Sequence, residues 1–267
     1  MRSLMATSRL AARRLVRKVL AATGDEAPRA RHARPRKRGP STVAEGWDTY
    51  AKRRPPESRI GDDWNNPRIM GMDLENKADV VGHLDRVVFD PFLGKPNVIV
   101  EIGPGGGRFT DVLLPKCHVL HAVDTSPHMI ESLRARFGED RGVVYHVADG
   151  RGLGMLPDAS ADAAFSYGVF VHLQHWDIFN YLSEVERVLR PGGKAVIQHS
   201  NTFSELGWKR FRSEVPRQLN RRKLRHTFIV NSPELMAELI RRAGLEPVEM
   251  VTNVAKRDCI ALIRKPE

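Results

Sequence analysis

Two hydrophobic rhythms alternate along this chain. Val98-Ile99-Val100-Glu101-Ile102 is a short, β-branched apolar run, the pattern of a strand buried on both faces. Upstream, Val80, Val81, Leu84, Val87 and Val88 recur at helical spacing, which predicts a helix over 74–92 that Pro91 ends. Downstream the two patterns interleave. Strands are predicted at 97–102, 118–123, 143–147, 161–167 and 194–198. Helices are predicted at 109–114, 126–137 and 178–189, the last halted by Pro191-Gly192-Gly193. Ser126 suits an N-cap and Pro127 the first helical turn. A helix over 233–243 stopped by Gly244, then strands at 246–251 and 259–263, complete the series. Strands alternating with helices at this interval predict an open, mostly parallel α/β sheet.

Three stretches stand outside the rhythm. Residues 1–41 read as a basic, disordered arm with a short amphipathic helix over 4–20, where Leu4, Ala11, Leu15 and Val19 share a face. Residues 42–94 read as an N-terminal helical cap, with Trp47, Tyr50 and Trp64 either packing it onto the core or closing over a pocket. Residues 201–231 read as a basic lid inserted into the main domain of 95–267, carrying Lys209, Arg210, Arg212, Arg217, Arg221, Arg222, Lys223, Arg225, Trp208 and His226. Charge sharpens this division. The chain has a formal net charge of +11, yet residues 1–40 hold 12 Lys and Arg against 2 acidic residues. The folded part is thus close to neutral, which argues against its being a nucleic-acid binder and assigns any polyanion or membrane-surface contact to the arm. The sequence has no apolar run of transmembrane length. Cys117 and Cys259 offer neither metal-site spacing nor a disulfide framework, and fit a reducing, cytoplasmic setting.

The chemistry concentrates after the strand at 97–102. Gly103, Gly105, Gly106 and Gly107 follow it at once and a helix begins at 109, an arrangement that lets backbone N–H groups approach a polar ligand. The dinucleotide spacing G-x-G-x-x-G would need glycine at 108, where the chain has Arg108. Asp124 ends the second strand about 20 residues on, where a carboxylate can accept ribose hydroxyls. Asp149 ends the third strand, Phe165-Ser166-Tyr167-Gly168 the fourth, and Arg190-Pro191-Gly192-Gly193 precedes the fifth.

Taken together, these motifs resemble class I S-adenosylmethionine (SAM)-dependent methyltransferases. E-I-G-P-G-G-G-R, A-V-D-x-S-P-x-M and F-S-x-x-V-F-V-H-L resemble a bacterial subgroup of small-molecule, sugar and polysaccharide pathways. The resemblance implies a Rossmann-like, seven-stranded, mostly parallel sheet with helices on both faces and an antiparallel last strand. It also implies SAM as methyl donor. By position, Glu101 and the Gly103–Gly107 turn would serve the methionine end and the approach to the ribose. Asp124 would take the ribose, Asp149 the adenine amino group, and the Ser166 backbone the methionyl group. His172, just past the fourth strand, is the candidate general base for a hydroxyl acceptor, with His175 and His199 in reserve; no metal triad is apparent. The fourth-strand segment lacks the N/D-P-P-Y motif of many amino-methylating enzymes, which tilts toward an oxygen acceptor, and the resemblance implies a small-molecule or glycan substrate. Two other classes compete: an RNA or protein methyltransferase recruited by the basic arm, and a SAM-binding module without catalysis.

Overall fold

The computed structural model describes residues 42–55, 71–72, 79–139, 141–219 and 228–267. The arm at 1–41, Trp64, the first part of the helix expected over 74–92, and Arg221, Arg222, Lys223, Arg225 and His226 lie outside the described residues.

Seven strands form one sheet: β1 (Val98–Ile102), β2 (Val119–Asp124), β3 (Val143–Val147), β4 (Ala161–Ser166), β5 (Leu189–Ser200), β6 (Glu246–Val251) and β7 (Asp258–Arg264). Their order is β3-β2-β1-β4-β5-β7-β6. The first five are parallel, while β7 runs antiparallel to both β5 and β6. This is the Rossmann-like arrangement expected from the sequence. Alternate side chains of each strand leave on opposite faces, so each face carries its own apolar layer. Ile99, Leu120, Phe165 and Val196 pack on one side with Leu84, Phe89, Leu113 and Leu133. Val100, Ile102, Ala164 and Ile197 pack on the other with Ile178, Leu182, Val185, Met236 and Ile240.

Helices supply those partners. In chain order they are α1 (Thr42–Lys52), α2 (Val80–Leu84), α3 (Thr110–Leu113), α4 (Pro127–Phe137), α5 (His175–Val188), α6 (Glu205–Leu219) and α7 (Pro233–Arg242). Ser126 caps α4, its hydroxyl accepting the Met129 amide at 3.3 Å, and Ser232 caps α7 in the same way through Leu235. Among the described residues no helix is long and apolar enough to cross a membrane.

Two boundaries differ from the sequence reading. Pro91 does not end the helix that α2 begins. A π-helical stretch, Asp85–Phe89, intervenes, and Pro91 then falls in the first turn of a last α segment, Asp90–Leu93, where a missing N–H is tolerated. β5 starts at Leu189 rather than at 194, with Pro191-Gly192-Gly193 inside it. That extension is held from far along the chain: the Gly192 amide donates to the Lys265 carbonyl at 3.1 Å, and the Lys265 amide to Gly193 at 2.8 Å.

Winding reverses at β1, which has β2 on one side and β4 on the other. In an open α/β sheet such a switch point leaves a crevice beyond the carboxyl ends of the strands.

Candidate active site

The crevice is lined by the turn after β1, the ends of β2 and β4, and two aromatic residues of α1. Its volume is about 1020 Å³, including space open to solvent. The turn is forced close to its surroundings. Gly103 has φ +70°, and a Cβ there would lie 2.2 Å from Val169 Cγ2. Gly107 has φ +90°, and its Cβ would meet Phe137 Cε2 at 2.4 Å. Glycine is what lets this backbone form the crevice wall.

Asp124 lies at the centre of the arrangement. It is buried and lines the crevice. Its Oδ2 accepts the Gly105 amide at 3.2 Å and its Oδ1 the Ser126 amide at 2.9 Å. Burial pushes its pKa up to about 6, against the opposing pull of those backbone donors. Below the turn, Glu101 is buried at 2% exposure and does not line the crevice. Its Oε2 accepts the Thr110 hydroxyl at 2.7 Å, which ties β1 to α3. Burial, with Asp124 and Asp111 nearby, pushes its pKa up to about 8 despite the Thr110 bond.

The remaining sequence candidates are distributed around this centre. Ser166 is fully buried, and its hydroxyl donates to the Ile102 carbonyl at 3.0 Å, joining β4 to β1. Asp149 is exposed and turns back to accept the Arg151 amide at 2.9 Å, while its neighbour Ala148 lines the crevice. The ring of His172 meets that of Trp47, which lines the crevice, at 5.2 Å between centroids. His175 bonds through Nε2 to the Val230 carbonyl at 2.9 Å. His199 is buried; its Nδ1 faces the Ser200 carbonyl at 2.9 Å and its Nε2 has no partner among the described residues. Burial pushes its pKa down to about 4, so the ring is neutral at ordinary pH. No group of three or more His, Cys, Asp or Glu residues suited to a metal occurs among the described residues.

Several participants were not legible in the sequence. Asp48 of α1 reaches across to α4, taking the Ser126 hydroxyl at 2.9 Å and facing His128 Nδ1 at 2.8 Å, with Lys52 at 3.1 Å. Burial works against its ionisation, but the bonds from His128, Lys52 and Ser126 win and hold its pKa at about 2. This contact fixes the helix that carries Trp47 and Tyr50 to the crevice wall. At the opposite side the Tyr167 and Phe109 rings lie 4.5 Å apart, with the Arg108 guanidinium over Phe109 at 4.7 Å. A buried chain supports that side. The Gly168 amide donates to Gln198 Oε1 and Gln198 Nε2 to Asp258 Oδ2, each at 2.8 Å, and Arg257 closes on Asp258 at 2.6 Å. An ionisable carboxylate beside a tight glycine turn, walled by aromatic faces, suits a ligand with donor hydroxyls and a flat or cationic portion.

Residues 100–197 match the family model described as a methyltransferase domain. A probable SAM-dependent methyltransferase of Mycolicibacterium smegmatis is 30% identical over 151 residues, 55% of this chain and 51% of that protein. The chain spans about half the length of the curated relatives it matches. Among solved structures, the N-methyltransferase NodS of Bradyrhizobium japonicum, in complex with S-adenosyl-L-homocysteine, is similar with a TM-score of 0.56 at 19% identity, covering 83% of this chain and all of that one. The 1,6-didemethyltoxoflavin-N1-methyltransferase of Burkholderia thailandensis is similar with a TM-score of 0.53 at 21% identity, covering 87% of this chain and 94% of that one. At these identities the structural likeness is one of fold.

Two outcomes follow from the packing and ionisation of the turn. Gly103→Ala places a Cβ against Val169 in a left-handed conformation, and urea denaturation is expected to show a loss of about 2 kcal/mol or more. Glu101, with a folded pKa of about 8 against an ordinary 4.5, contributes stability that is fully present below pH 4.5 and lost as pH rises through 8. Thermal unfolding between pH 6.5 and 8.5, above the Asp124 transition, should therefore fall more steeply for wild type than for Glu101→Gln. Parallel curves would mean that Glu101 is ionised in the folded protein.

Proposed function

Given that residues 100–197 carry a methyltransferase domain of the class I SAM-dependent family, we propose that the protein transfers a methyl group from SAM to a small-molecule or glycan acceptor, with a hydroxyl oxygen as the receiving atom. The observation that carries this reading is Asp124, a carboxylate held at the crevice by two backbone amides beside the glycine turn. Those two bonds leave further lone pairs on the carboxylate for the hydroxyls of a ribose. The turn at Gly103–Gly107 brings backbone close enough for the amino-acid end of the cofactor. Glu101 serves this turn from beneath through Thr110, as a positioning group. Asp149 and the backbone at Ser166 complete the set, for the adenine amino group and the methionyl group respectively.

SAM supplies a methyl group on a sulfonium, already activated for displacement. The chain's task is then to align the acceptor, exclude water and manage one proton. Trp47, Tyr50, Tyr167 and Tyr181 supply aromatic walls, and aromatic faces attract a sulfonium charge. Alignment of this kind is worth ~7–11 kcal/mol of barrier. An acceptor hydroxyl loses its proton as the new bond forms, and His172, against Trp47, is the base in this reading. The fourth-strand motif Phe165-Ser166-Tyr167-Gly168, in place of N/D-P-P-Y, supports oxygen over nitrogen.

Calorimetry with SAM and S-adenosylhomocysteine is expected to give micromolar binding that Asp124→Ala weakens by roughly 100-fold, the value of two bonds to a charged acceptor. Because ligand hydroxyls donate best to the ionised carboxylate, affinity should rise with pH through about 6, and this rise should vanish in Asp124→Ala. Equal binding by wild type and variant would remove Asp124 from the cofactor site, and absence of binding by both would overturn the assignment. With hydroxylated acceptors, His172→Ala should lower kcat by ~10²–10⁴ while leaving SAM affinity unchanged. Unaltered kcat would remove His172 as base.

A further inference from the structure

Helix α6 is built inside out. Its inward side is polar: Glu214 is buried at 8% exposure and pairs with Arg210 at 2.6 Å, while the Arg210 guanidinium sits 5.9 Å from the Phe228 ring. Gly207 fixes the first turn, since a Cβ there would lie 1.8 Å from the Asn201 carbonyl oxygen. The outward side carries an apolar stripe among exposed polar residues. Trp208, Val215 and Leu219 are 49%, 38% and 80% exposed, and their spacing of seven and then four residues sets them in one stripe along the helix. Phe211 extends the stripe by stacking on Trp208 at 5.3 Å, and Phe203, just before the helix, is 74% exposed. Exposed Lys209 and Arg212 border it, with exposed Glu205 at the first turn between them. A globular helix ordinarily turns such a stripe to the core. Here the core-facing positions are already filled by an ion pair and a glycine.

We infer that this face of α6 docks on an anionic lipid surface. An apolar stripe with Trp, bordered by Lys and Arg, is the composition of a helix lying in a membrane interface. The charge identifies the occupant. A second copy of this chain would bring the same Lys209 and Arg212 against these, and residues 1–40, at 12 basic to 2 acidic, would repel them too. A nucleic acid would satisfy Lys209 and Arg212 and the Arg221, Arg222, Lys223 and Arg225 that follow in sequence, but it gives Val215 and Leu219 nothing to bury against. An anionic bilayer matches both the cations and the apolar stripe. α6 also follows the carboxyl end of β5, the end of the sheet at which the crevice opens, so docking would set the crevice beside the lipid headgroups.

The test uses the full chain, without cofactor, so its result is independent of methyl transfer. Sedimentation with phosphatidylglycerol–phosphatidylcholine vesicles is compared with phosphatidylcholine alone, at low and high salt. Wild type is expected on the anionic vesicles, with a fraction resisting high salt, and brominated acyl chains should quench its tryptophan fluorescence. Trp208→Ser with Leu219→Ser, both at exposed positions, should bind roughly tenfold or more weakly with an unchanged unfolding temperature. Trp208→Phe should keep the binding and lose the quenching. Equal binding by wild type and double variant would mean adsorption by the basic arm alone and would overturn the inference. So would a concentration-dependent dimer, or binding to single-stranded RNA in preference to vesicles, lost in the same double variant.

Discussion

One carboxylate holds three parts of this molecule in register. Asp124 takes a backbone amide from the turn after β1 and another from the cap of α4. The cap residue, Ser126, passes the connection on through its hydroxyl to Asp48 of α1. Turn, helix terminus and the helix carrying the aromatic wall are thus joined through two adjacent side-chain acceptors. The cost is electrostatic. Asp124 is buried, with the Asp48 carboxylate raising its pKa further, and it raises that of Glu101 in turn. A site of this kind is poised for a donor-rich ligand, which supplies the hydrogen bonds that burial has removed.

Much of the frame was legible from local pattern. β1 to β4 and the cap at Ser126 fall where apolar runs and a cap residue place them, because each is decided by neighbours within a few positions. What escaped was decided at long range. The start of β5 at Leu189 depends on Lys265, and the passage of the helix through Pro91 depends on a π-helical stretch that no residue type announces. Asp48 has a local partner only in Lys52; the two that tie it to α4, Ser126 and His128, lie about 80 residues away.

The same distinction separates the candidate residues. Asp124 and the glycines meet at the crevice because strand ends and tight turns put them there. Glu101, Ser166 and His199 are embedded in the framework, bonded to Thr110, Ile102 and Ser200. In each case burial decides whether the polar group faces the crevice or the protein itself. Asp149 shows the opposite outcome, an acid left exposed at a strand end with its carboxylate turned to its own backbone.

The strand order carries a temporal consequence. β7 sits between β5 and β6 but is synthesised after both. Its first residue, Asp258, anchors Gln198, which in turn holds the Gly168 amide at the crevice. On the ribosome, β1 to β5 can pair as they emerge, yet the place beside β5 must stay vacant until β7 arrives, and β6 has to wait with its edge unsatisfied. The fold therefore closes like a book whose last page is inserted in the middle. The Gly168 side of the crevice therefore gains its buried support only once β7 has been made, and until then the β5 edge is an open strand edge.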